Sequence, residues 1–175
     1  KLIIKVIDKE NIRDKALILI GFSGGFRRSE LVNISNDDVE FVPEGVKILI
    51  KRSKTDQSGE GMTKGIPYFT DLNYCPVNSL KNWLKKSNIK SGKIFNISDK
   101  SVALIIKKYA LLSGLDPNKY GGHSLRSGFA TVAAEFGADE RSIMSMTGHK
   151  TTQMVRRYIK EANIFKNNAL NKIKL

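Results

Sequence analysis

The sequence predicts an α+β fold, mostly α-helical, with one small three-stranded antiparallel sheet inserted early in the chain. Three observations predict it. Apolar residues recur at helical spacing over several segments after Pro76. Between Asp37 and Phe69 the pattern changes to alternation interrupted by turn residues. At 175 residues, with 41% apolar and 27% charged residues, the chain fits one globular domain or one compact part of a larger protein.

The elements follow in order. From Asp14 to Phe22, the residues Ala16, Leu17, Ile18, Leu19, Ile20 and Phe22 read as a largely buried helix. It is expected to break at GFSGGF, where three glycines within five residues deny helix continuity. Ser29, followed by Glu30 and Leu31, starts a short helix, SELVNI. DDVEFVPEGVKILIKR then alternates around Pro43-Glu44-Gly45, a turn signal between two strands. A third strand near GIPYF lies beyond the Gly/Ser-rich loop SKTDQSGEGMTK.

Helices take over after Pro76. PVNSLKNWLKKS, DKSVALIIKKYALLSG and HSLRSGFATVAAEFG each keep an apolar stripe of period 3.6, and the last two end at glycine. On the third, Leu125, Phe129, Val132 and Phe136 are expected to share the core face. ADERSIMSMTG is a shorter helix stopped by Gly148, QMVRRY begins another, and ANIFKNNALNKIKL forms an amphipathic tail. Neither repeats nor a clear interdomain linker interrupts the chain, so residues 1–175 read as one domain, with 161–175 as its tail.

Composition narrows the function. The longest apolar runs, such as ALILIGF, are too short to span a bilayer. A single cysteine, Cys75, leaves no internal disulfide framework and suits a reducing, cytoplasmic compartment. Thirty Lys and Arg against seventeen Asp and Glu give a net charge of +13, a surface that attracts polyanions, of which nucleic acid is the commonest. A ribosomal-type or membrane-surface basic protein is the alternative on charge alone. The acidic residues are scattered, so this is no basic tail on a neutral body.

Four stretches carry candidate chemistry, and each is weak alone. In GGHSLRSGF, His123 and Arg126 stand three apart on a helix and could present an imidazole and a guanidinium to one phosphate. In GGFRRSEL, Arg27 or Arg28 could bind a phosphate bidentately, with Glu30 orienting an arginine. In KRSKTDQSGEGMTKG, Lys54 or Lys64 could donate a proton to a leaving oxygen from a hairpin loop. In GHKTTQMVRRYIK, His149 precedes Tyr158 by nine positions, among Lys150, Arg156, Arg157 and Lys160. Two histidines 26 positions apart and one cysteine make no recognised metal-ligand pattern, and no Walker-type glycine loop is present. No cofactor is expected. Cations around a phenol suit attack on a phosphodiester, because guanidinium groups stabilise the extra negative charge of the transition state.

RRSEL, RSKTDQ, HSLR and TGHKTTQMVRRY stand in an order and spacing that resemble the catalytic domain of the tyrosine recombinase (phage integrase) family, over about Asp14 to Tyr158. The resemblance implies that Tyr158 is the nucleophile, with Arg27, Lys54, His123, Arg126 and His149 as its catalytic partners and Glu30 supporting Arg27. Lys54 would be the general acid for the 5′-oxygen. Arg28, Lys64, Arg156 and Arg157 are left as expected DNA contacts. The resemblance further implies double-stranded DNA carrying specific recombination sites as partner, strand exchange through a 3′-phosphotyrosine without metal or ATP, and a homotetramer on DNA, with a monomer in isolation not excluded. A bacterial or phage-encoded protein of a mobile element would fit. Relatives carry an N-terminal helical domain that closes a clamp on DNA. It is missing from this sequence, which begins at Lys1 rather than Met and so reads as part of a longer protein. The tail could pack on its own domain or on a neighbouring protomer. A type IB topoisomerase and a catalytically silent DNA-binding relative are the competing readings.

Overall fold

The most apolar stretch of the chain becomes its central helix. A computed structural model, which describes residues 1–51 and 61–162, places α1 at Leu2–Lys5 and α2 at Ile12–Ser23. Ala16, Leu17, Ile18, Leu19 and Ile20 are all buried, as a helix apolar on every side requires. The helix runs on through Gly21, one glycine further than GFSGGF suggests. A Cβ at Gly21 would lie 2.6 Å from Leu125 Cδ1 and 2.9 Å from Leu31 Cδ2, so this glycine admits neighbouring elements rather than ending the helix. Gly24 is the cap. Near the start of α2 the buried Asp14 pairs with Arg13 (2.8 Å) and accepts a hydrogen bond from Tyr109 Oη (3.0 Å).

The next helix, α3, is Arg28–Leu31, starting one residue before Ser29 and ending well before Ile34. Its N-cap is the extended Arg27, whose N–H donates to Glu30 Oε2 at 2.9 Å, so the carboxylate fixes the start. After a 3₁₀ turn at Asn36–Asp38 come β1 (Val39–Val42), β2 (Gly45–Ile50) and β3 (Met62–Pro67), antiparallel in the order β1-β2-β3. Val42 pairs with Gly45 across the Pro43-Glu44 turn. On β2, Val46, Ile48 and Ile50 face inward while Lys47 and Leu49 face out, the period of two expected of a half-buried strand.

β3 begins at Met62, three residues before GIPYF, and this changes one assignment. Lys64 is a strand residue paired with Ile48, on the same buried face as Ile66, rather than part of a solvent-facing loop. The loop residues 52–60, Lys54 among them, lie outside the described residues.

The helices after Pro76 are α4 (Pro76–Ser87), α5 (Asp99–Leu112), α6 (Ser124–Glu135), α7 (Glu140–Thr147) and α8 (Thr152–Ala162). Ser98 Oγ caps α5 by accepting from Ser101 N at 3.1 Å, and Asp139 caps α7 by accepting from Ser142 N at 2.9 Å. One large core joins α2, α4, α5 and the sheet through Leu17, Ile20, Ile48, Ile66, Leu80 and Ile106. A second, much smaller cluster of Ala130, Ala134, Ile143 and Val155 holds α6, α7 and α8 together.

The face that α6 buries differs from the predicted one. Phe129 is only partly buried, and Val132 and Phe136 are exposed, Phe136 by 88%. The buried residues are Leu125, Arg126, Ala130 and Ala134. Leu125 reaches the main core, and the two alanines turn toward α7 and α8, where short side chains permit close packing. The segment expected to form the tail begins inside α8, and residues 163–175 lie outside the described residues.

Candidate active site

The site starts from a buried carboxylate. Glu30, 5% exposed, binds Arg27 twice, through the backbone N–H (2.9 Å) and through guanidinium Nη1 (2.5 Å). Lys64 Nζ lies 3.9 Å from Glu30 Oε2, donates to Gly24 O at 2.7 Å and sits 4.3 Å from the centroid of Phe26. The Lys64 side chain has no solvent exposure, which corrects its expected role as a direct DNA contact. Burial pushes its ammonium down to about 8. The Glu30 carboxylate opposes that shift, while Arg126 and Arg27 add to it. The signal that could have found this was the alternation of β3: Ile66 facing in puts Lys64 in as well.

Arg126 enters from α6. It is 5% exposed, and its Nη1 donates to Gly25 O at 3.2 Å, so Lys64 and Arg126 hold the two adjacent carbonyls that follow α2. Arg126 Nη2 is also buried and makes no hydrogen bond among the described residues. Burial, with Arg27 nearby, lowers this guanidinium to about 10, and Glu30 and Tyr158 act in the opposite direction. A buried donor aimed into a cluster of cations suits an anion better than any neutral group.

The remaining pieces come from α7 and α8. At Gly148 the backbone turns left-handed (φ 64°), which glycine adopts without strain, and α7 stops there. His149 follows at once. Its Nδ1 lies 2.8 Å from Thr147 Oγ1, and its ring centroid lies 6.3 Å from that of Tyr158, tilted by 31°. Burial, reinforced by Arg126, Arg27 and Lys64, pushes His149 down to about 4, so the ring is neutral at pH 7. Tyr158 is half-buried against the small cluster of Ala130, Ala134, Ile143 and Val155. Arg27, Glu30, Lys64, Arg126, His149 and Tyr158, spread over 131 positions (158 − 27), thus meet at one place.

Other candidates stand apart. His123 caps α6 and is exposed, and no hydrogen bond or ring contact joins its imidazole to Arg126 or Tyr158 among the described residues. Its carbonyl accepts from Ser127 Oγ at 2.9 Å. Arg28 pairs with Asp99 at the start of α5 (3.2 Å) and lies over Gly122, where a Cβ would come within 2.7 Å of Arg28 Cδ. Arg156 is paired with Glu140 (2.9 Å) and Arg157 with Glu161 (3.2 Å), both in exposed ion pairs. Thr147 was not singled out by the sequence reading, because its role depends on helix register. Among the described residues no three His, Cys, Asp or Glu side chains form a group that could hold a metal ion, and no helix is long and apolar enough to cross a membrane.

The model of the Phage integrase family matches residues 1–163. The integrase/recombinase xerD homolog of Selenomonas ruminantium is 48% identical over 98% of this chain and 55% of its own length. Tyrosine recombinase XerA of Pyrococcus furiosus is 32% identical over 93% of this chain and 57% of its own length. The chain therefore spans little more than half the length of these relatives. Among solved structures, a crystal structure of XerA recombinase superposes with a TM-score of 0.75 at 19% identity, covering 99% of this chain and 62% of that one. XerH site-specific recombinase bound to its difH substrate gives 0.71 at 20% identity, covering 95% and 51%. The fold is that of tyrosine recombinase catalytic domains, and the chain belongs to the phage integrase family.

Proposed function

We propose that the chain is the catalytic part of a site-specific DNA recombinase that cuts and rejoins strands through Tyr158. The observation that carries this reading is the buried Nη2 of Arg126, which makes no hydrogen bond among the described residues and lies in a cluster of cations beside Tyr158. In the proposed reaction Tyr158 Oη attacks the scissile phosphorus and gives up its proton to solvent. The P–O5′ bond breaks, and the 5′-oxygen leaves with a proton, for which Lys54 is the proposed donor. Arg126 and Arg27 neutralise the non-bridging oxygens as charge builds on them, and Glu30 keeps Arg27 aimed. The 3′-phosphotyrosine keeps the phosphodiester energy, so the 5′-hydroxyl of a second strand can reverse the step.

The partner in this reading is double-stranded DNA with defined recombination sites, supported by XerH having been solved on its difH substrate, and the reading places four copies on that DNA. An N-terminal DNA-clasping domain in the full protein and a role for His123 in proton handling belong to the same proposal. The test is a nicked suicide duplex bearing the native recombination site, incubated with the full protein. A covalent adduct that disappears in Tyr158→Phe supports the reading. No adduct with the wild type on that site, or an undiminished adduct with the variant, overturns it.

A further inference from the structure

Thr147 closes α7 with its side chain wholly buried, and its single hydroxyl meets two neighbours. Its Oγ1 is 2.6 Å from Ile143 O, one helical turn back, and 2.8 Å from His149 Nδ1. A carbonyl oxygen can only accept, so the one hydroxyl proton of Thr147 goes to Ile143. Only lone pairs are then left for His149, and Nδ1 must bring the hydrogen. In a neutral imidazole a hydrogen on Nδ1 leaves Nε2 bare.

We infer that Thr147 is a positioning residue that holds His149 in the Nδ1–H tautomer, so that a bare Nε2 is what this ring presents to the cationic pocket. Free imidazole side chains prefer the opposite tautomer, so the geometry reverses the default. The groups facing the ring oppose a second proton: Arg27 at the start of α3, Lys64 from β3 and Arg126 from α6 are cations, and burial adds to their effect. Among the described residues, Tyr158 on α8 is a further titratable neighbour of the ring.

The consequence rests on reading this pocket as the phosphodiester site. A non-bridging phosphate oxygen placed against Nε2 meets a lone pair rather than a donor. His149 therefore enters the reaction as a proton acceptor. It becomes a hydrogen-bond donor to the phosphate only after taking up a proton from solvent, which the charge of the bound phosphodiester favours.

The experiment is two-bond ¹⁵N–¹H correlation on the full protein labelled with ¹⁵N-histidine, at pH 7.5 without DNA, using His149→Asn to identify the resonances. Wild type should show a protonated Nδ1 and a bare Nε2 for His149. Thr147→Ser, which keeps the hydroxyl, should show the same. Thr147→Val, of nearly the same shape, should move the tautomer ratio about five- to tenfold toward Nε2–H. Nε2–H already dominant in wild type, or a ratio unchanged in Thr147→Val, overturns the inference. Should Thr147→Val fail to fold, wild type and Thr147→Ser decide it alone, since both must carry the Nδ1–H signature. The measurement uses no DNA, so failure of the suicide-substrate test would refute the functional reading and leave the tautomer standing.

Discussion

The cationic half of the site and its nucleophilic half are held by very different amounts of protein. Arg27, Glu30 and Lys64 grow out of the large core, where α2, the sheet, α4 and α5 interlock through fully buried Leu17, Ile20, Ile48, Ile66 and Leu80. Tyr158 rests on a cluster of only four buried residues, two of them alanines, among the described residues. Keeping a buried carboxylate among three cations in register demands a stiff frame, because each loses more than it gains if its partner moves. Presenting a half-buried tyrosine to a large polyanion makes no such demand. Arg126 spans the two: its neighbour Leu125 reaches the large core, while Ala130 and Ala134 on the same helix belong to the small one.

The largest predicted effect separates charge from stability. Arg126→Met should slow adduct formation by about 10² to 10³-fold, the usual loss for one transition-state donor, as single-turnover assays would measure. Its melting temperature should hold or rise, since a buried guanidinium with a nitrogen unsatisfied among the described residues is replaced by an apolar chain. A variant that is inactive because it is unfolded would break the comparison.

Next come the two cores. Leu17→Ala should cost about 2–5 kcal/mol of unfolding free energy in urea. Val155→Ala should cost no more than about 2 kcal/mol, given two methyl groups lost from a small cluster. Amides of α7 and α8 should exchange with deuterium faster than those of α2 and β2. Equal protection in both halves would contradict the division.

A smaller effect separates the halves by pH. Lys64 and His149 are both bases whose folded values lie below the ordinary ones. Within each window the unfolded chain holds a proton that the folded chain lacks, so stability rises with pH. For His149 the window runs from about 4 to 6.5, and for Lys64 from about 8 to 10.5. Relative to wild type, His149→Asn should flatten the unfolding free energy across the acidic window only, and Lys64→Met across the alkaline one only. Smallest of all, Arg156→Ala removes an exposed ion pair to Glu140 and should change stability by less than about 1 kcal/mol.

How far the sequence reveals all this differs between the halves too. The starts of α4 at Pro76 and α5 at Asp99, the Pro43-Glu44 turn and a three-stranded antiparallel sheet follow from local signals and recur in the structure, while α2, α3 and α7 start one or two residues away from the expected positions. The spacing of Arg27, Arg126, His149 and Tyr158 was legible because the motifs keep their order along the chain. Lys64 reads as solvent-exposed because it follows a polar loop, although the period of two that turns Ile66 inward turns Lys64 inward as well. The core face of α6 was misread for a similar reason. Periodicity favours bulky residues such as Phe136, whereas contact with α8 selects Ala130 and Ala134. Gly21 looked like a helix breaker until the positions of Leu125 and Leu31 gave it a packing role. The misses at α6 and Gly21 depended on partners distant in sequence.

The central claim is that the two halves meet on one phosphodiester, with Tyr158 as the attacking group. Mapping the trapped DNA adduct by protease digestion and mass spectrometry tests it most directly. The account predicts a single modified peptide with Tyr158 carrying a 3′-phosphate of the cut strand. A linkage to any other residue, or through a 5′-phosphate, would contradict it.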